Sequence, residues 1–84
     1  MIKFVIEREL VEINKNIVSK GCTSISFRNK SDGKVYINGE ELGIGETMAD
    51  NGEPMEQNMT QYKVLFDAAC TVKKVFIRRK MYLK

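Results

Sequence analysis

The chain has no histidine, no tryptophan, a single proline and two cysteines among its 84 residues. Without histidine it lacks the side chain that most often serves as a general base near neutral pH and most often ligates transition metals. Cys22 and Cys70 therefore have no imidazole to activate either as a nucleophile. Neither lies in a C-x-x-C pair, so two reduced thiols are expected, although spacing alone leaves a single disulfide open. No G-x-x-x-x-G-K-[ST] or G-x-G-x-x-G run is present to cradle a phosphate. Asp50, Glu53 and Glu56 around Asn51-Gly52 lack the ligand order of a calcium loop and read as a solvated turn. No stretch approaches the roughly 20 apolar residues of a membrane helix, and Glu7-Arg8-Glu9 interrupts the first apolar run too early for a signal peptide. The expectation is a soluble product of the cytoplasm, not an enzyme, with no cofactor, no metal and no membrane partner.

What remains is an ordinary globular composition, 43% apolar and 30% charged, which argues for one folded domain over residues 1–84. At this length a single core only narrowly offsets the entropy of ordering the chain, so a partner is a natural supplement. The net charge of +3 is a mild bias that permits nucleic-acid contact without demanding it. Its distribution says more. Between residues 40 and 56 every charge is acidic, whereas residues 73–84 carry Lys73, Lys74, Arg78, Arg79, Lys80 and Lys84 and no acid.

The strongest local signal is Val35-Tyr36-Ile37-Asn38-Gly39-Glu40-Glu41-Leu42. Asn-Gly between alternating apolar residues predicts a two-residue type I′ turn and a β-hairpin. In that register Val35 faces Leu42 and Ile37 faces Glu40, so Val35, Ile37, Leu42 and Ile44 share the apolar face. Period-two alternation also predicts strands over residues 2–7, 23–28, 61–67 and 72–83, with an extended loop from Gly45 to Thr60. Residues 8–18 fit a second strand or a short helix. Met55, Met59, Tyr62, Phe66 and Ala69 also fit a helix after Pro54, which we rank behind the strand. The fold class that follows is all-β: a small antiparallel β-sandwich or open barrel of about six or seven short strands, with room for a short helix near the N-terminus.

Two places could carry function. On the last strand Phe76, Arg78, Lys80 and Tyr82 project from one face, where cations interleaved with aromatics can track phosphates and stack bases. The plainer account is that lysine and arginine guard a strand against edge-to-edge pairing. Arg79, on the otherwise apolar face, suggests the sheet rim or a contact with a neighbouring subunit. The second place is the acidic stretch with Met48, Met55 and Met59, whose flexible thioethers adapt to a partner's surface or cap the open end of a sandwich. An acidic loop and a basic strand on one molecule suit head-to-tail contacts between neighbours.

The ordered set Ile25-Ser26-Phe27-Arg28-Asn29, Lys34-Val35-Tyr36-Ile37-Asn38-Gly39-Glu40-Glu41-Leu42-Gly43-Ile44-Gly45-Glu46, Tyr62-Lys63-Val64-Leu65-Phe66 and Lys74-Val75-Phe76-Ile77-Arg78-Arg79-Lys80-Met81-Tyr82 resembles the small β-sandwich structural proteins of tailed bacteriophages, those of the crAss-like group most of all. The resemblance covers roughly residues 23–82 and consists of short strands and turns. It implies a virion component made in the bacterial host cytoplasm: an auxiliary capsid, head-fibre-attachment or tail-connector protein. Its partners would be capsid, fibre or tail subunits and copies of itself, and the resemblance carries over no catalytic residue. A small single-stranded nucleic-acid-binding protein is the competing reading.

Overall fold

The computed structural model describes residues 3–51 and 61–83, with Asn51, Tyr82 and Leu83 described by backbone alone. The Asn38-Gly39 turn is the point about which the chain is folded. Both residues take positive φ, 51° and 83°, a region that glycine enters freely and asparagine tolerates. They join β4 (Val35–Ile37) to β5 (Glu40–Leu42) in the predicted register, with Val35 opposite Leu42 and Ile37 opposite Glu40. The Asn38 side chain fixes the turn further: its Oδ1 accepts from the Lys63 N–H at 2.7 Å and its Nδ2 donates to the Gln61 carbonyl at 3.3 Å.

Outward from this turn the strands pair in nested order. β3 (Ser24–Asn29) pairs with β6 (Thr47–Asn51), β2 (Lys15–Val18) with β7 (Gln61–Phe66), and β1 (Lys3–Val11) with β8 (Val75–Leu83), all antiparallel. Successive pairs fall in alternate sheets, giving one sheet of order β1-β8-β3-β6 and another of order β2-β7-β4-β5. That is the strand order of an eight-stranded jelly roll. The all-β sandwich predicted from sequence is what forms, with eight strands rather than six or seven, and no helix occurs among the described residues.

The core lies between the sheets. β3 and β8 contribute Ile25, Phe27, Val75 and Ile77, β1 adds Val11, and the second sheet answers with Ile17, Val35, Ile37, Leu42, Tyr62, Val64 and Phe66. The rings of Phe27 and Tyr62 meet across the gap at 4.9 Å, tilted by 55°, a favourable arrangement for an aromatic pair. Burying these side chains supplies the main driving force for closing the sheets.

Several expectations change. The option of a short helix in residues 8–18 is not taken, because β1 continues to Val11 and β2 starts at Lys15, with Val11 and Ile17 delivered to the core by strand alternation. The bend between them is held by the Asn14 side chain, whose Oδ1 accepts from the Phe66 N–H at 2.8 Å. The loop predicted from Gly45 contains a strand, β6, which sets Met48 opposite Phe27. Ile44 does not share the apolar face and is 66% exposed. A tight turn reverses the chain there, with the Glu46 N–H donating to the Gly43 carbonyl and the Glu46 carboxylate accepting from the Gly43 N–H at 2.7 Å. Strand rather than helix holds for Gln61–Phe66. The helical alternative's Met55 and Met59 lie outside the described residues.

The body measures 46 × 17 × 17 Å, and its long axis follows the strands of the β1·β8 ladder, since nine extended residues span about 30 Å, more than either short extent allows. At one pole β1 and β8 run on past β3, whose pairing with β8 stops at Ser24 opposite Lys80. This two-stranded extension carries Phe4, 51% exposed, and Val5, 45% exposed. The loops at the other pole carry Ile13, Ile44 and Val72, all exposed. Asn29, fully buried, ties the loop that follows β3 to the loop that carries Ile44, donating to the carbonyls of Gly33, Leu42 and Gly43 while its Oδ1 accepts from the Ser31 N–H.

Candidate binding surface

Strand alternation places Phe76, Arg78 and Lys80 on the outer face of the β1-β8-β3-β6 sheet, as predicted. Phe76 is 46% exposed. Tyr82 stands opposite Phe4 in the ladder, and its side chain lies outside the described residues. β8 is not an edge strand: β1 flanks it on one side and β3 on the other. Its cations therefore do not serve to guard an edge.

The neighbouring strands enlarge this face. In register across the sheet, Leu10, Phe76, Arg28 and Thr47 form one row; Arg8, Arg78, Ser26 and Ala49 form the next; Ile6, Lys80 and Ser24 form a third. Two shallow depressions lie along it, one lined by Arg8, Arg28, Lys30, Phe76 and Arg78 and the other by Ile6, Ser24, Ser26, Arg78 and Lys80. The Lys80 ammonium sits 4.5 Å over the Phe4 ring, a cation–π contact that packs the lysine stem over an exposed aromatic. Arg8, Arg28, Lys30, Phe4 and Leu10 were not singled out in the sequence. The signal for β1 was there in the alternation of Phe4, Ile6, Arg8 and Leu10 with Val5, Glu7 and Glu9, once the segment is read as strand to Val11.

Arg79 does not belong to this face, and its placement at a rim or a subunit contact is corrected. The side chain is 1% exposed between the sheets. Its guanidinium meets Glu9 at 2.9 Å and Glu7 at 3.3 Å, both on β1, and donates through Nε at 3.1 Å and Nη2 at 2.8 Å to the Val18 carbonyl on β2. It thereby fastens β8 of one sheet to β2 of the other. Burial pushes the Glu9 carboxyl up, but the hydrogen bond and charge of Arg79, with Lys15, outweigh that and hold it below the ordinary carboxylate value. Burial raises the nearby Cys22 thiol, against the opposing charge of Arg79. Cys22 and Cys70 are both buried and free.

Met48 is also set apart from β8's outer face. It is half-buried against the core and lines a small cleft with Glu40, Asp50 and Tyr62, where the Tyr62 hydroxyl donates to Asp50 at 2.6 Å. Met55 and Met59 lie outside the described residues. The predicted site thus divides into an exposed basic and aromatic face, a buried arginine clamp and a core-filling methionine. Among the described residues no group of three cysteine, aspartate or glutamate side chains is placed to hold a metal, and no helix is long and apolar enough to cross a membrane. No protein family, curated protein or solved structure matches the chain.

Proposed function

We propose that the protein is a non-catalytic structural module of a tailed-phage particle, an auxiliary capsid, head-fibre-attachment or tail-connector subunit that acts by protein–protein contacts. The observation that carries this reading is the elongated jelly roll with exposed apolar side chains at both poles: Phe4 and Val5 at one, Ile13, Ile44 and Val72 at the other. A short monomer gains nothing from presenting large apolar groups at both ends, whereas a subunit that bridges two neighbours uses each as a contact. The jelly roll itself is shared by capsid proteins, lectins and cupins, so the fold supports the reading by analogy alone. The phage assignment rests on the resemblance of the hairpin and of the three strands given above.

Mass spectrometry of purified particles tests it. The protein is expected in fixed ratio to the major capsid protein, and Ile13→Asp combined with Ile44→Asp is expected to deplete it from particles while the purified variant keeps its fold. Absence of the wild-type protein from particles of a phage whose infected cells contain it would overturn the proposal.

A further inference from the structure

The outer face of the β1-β8-β3-β6 sheet has a charge arrangement that the contact role does not require. Arg8 stands directly opposite Arg78 across the β1·β8 ladder, and like charges in that relation destabilise a sheet. Arg28 and Lys30 lie beside them. The ion pairs of the described residues, Lys15–Glu9, Lys20–Glu7, Lys34–Glu41 and Arg79 with Glu7 and Glu9, leave all four of these cations without a carboxylate. Within β1, Glu7 and Glu9 turn inward to Arg79, while Arg8 between them turns out. The rows that cross this face hold no acid at all. An array of fixed like charges, unneutralised and open to solvent, is a site for an anion.

We infer that this face binds single-stranded nucleic acid. Three features favour that ligand over an acidic polypeptide. The cations are spread over three adjacent strands, so they can follow a repeating charge rather than meet a single carboxylate. Apolar surface stands among them, with Phe76 and Leu10 each more than 40% exposed, and an exposed ring beside guanidinium groups offers bases a stacking platform. Ser24 and Ser26 line the depression between Arg78 and Lys80, adding hydroxyls that hydrogen-bond phosphate or sugar. The face is flat and open, which suits an unpaired strand lying across a sheet.

The test is fluorescence anisotropy of the full chain with a labelled oligothymidylate of about 30 nucleotides, over a salt series starting near 50 mM. The face predicts micromolar or tighter binding at the lowest salt. The slope of log K against log salt should be about −2 to −3, as three or four phosphate contacts to a single strand require. Arg8→Glu with Arg78→Glu should weaken binding at least about tenfold and flatten that slope, since two phosphate contacts are lost. Phe76→Ala should weaken it by about fivefold or more and leave the slope unchanged, because stacking releases no counterions. All three side chains lie on the solvent face, and unchanged thermal melts confirm that the variants fold. Absence of binding at the lowest salt overturns the inference. So does polyglutamate binding as tightly as the oligonucleotide with Phe76→Ala having no effect, a result that assigns the face to an acidic protein. None of these outcomes bears on whether the protein is found in particles.

Discussion

Arg79 is the residue on which the interior depends most. A guanidinium buried between two sheets is tolerable only because each of its three nitrogens has a partner, Nη1 with Glu7 and Glu9 on β1 and Nε and Nη2 with the Val18 carbonyl on β2. Removing it leaves those acceptors facing each other. Arg79→Met should cost about 3 kcal/mol of unfolding free energy, the low end for a broken buried pair, because water still reaches Glu7 and Glu9. The same cluster sets a pH dependence. The Glu9 carboxyl titrates below its ordinary value of 4.5 in the folded state, so its stabilisation is complete above that value and is lost as the pH falls through the folded-state pKa. Urea unfolding between pH 7 and pH 3 should therefore show the wild type losing stability in the acid range more steeply than Glu9→Gln, and equal slopes would show that Glu9 contributes nothing through its charge. In the sequence Arg79 stood out as a charge in an apolar pattern, but its partners lie on strands more than 60 residues away, and nothing local tells a rim arginine from an interior one.

Among the elements, the β4–β5 hairpin was legible as far as Leu42, because its register is written in two adjacent residues, while the turn that carries Ile44 off the apolar face was not. Gly39 bears that directly. A Cβ there has open space around it, with no heavy atom within 4 Å, so the cost of a substitution comes chiefly from the positive φ of 83°. Gly39→Val should lower the denaturant midpoint by the equivalent of about 1–2 kcal/mol with an unchanged m-value. The alternation of β7 and β8 was likewise readable, since buried and exposed positions simply take turns. β6 was not. Thr47–Asn51 holds a single large apolar residue, Met48, and becomes a strand through its pairing with β3, where Met48 lies opposite Phe27. The outer face was half legible for the same reason: β8 showed its cations, while the register that brings Arg8 and Arg28 beside them is a property of three strands together.

At the scale of the molecule, the hairpin tip at Asn38-Gly39 is the centre of a nested pairing in which each strand meets its mirror position in the chain. Such a topology places long-range pairs late, because the β1·β8 ladder closes the longest loop. Among the described residues it leaves exposed apolar side chains at both poles and a basic outer face on one sheet. A final consequence is mechanical. Lys3 stands opposite Leu83, so tension applied through these two residues peels the β1·β8 ladder apart one pair after another, like a zip. Tension applied from pole to pole instead runs along the strands and loads all the cross-strand hydrogen bonds of the ladder in shear at once. The same ladder that yields easily when its ends are drawn apart makes the body a stiff strut along its long axis.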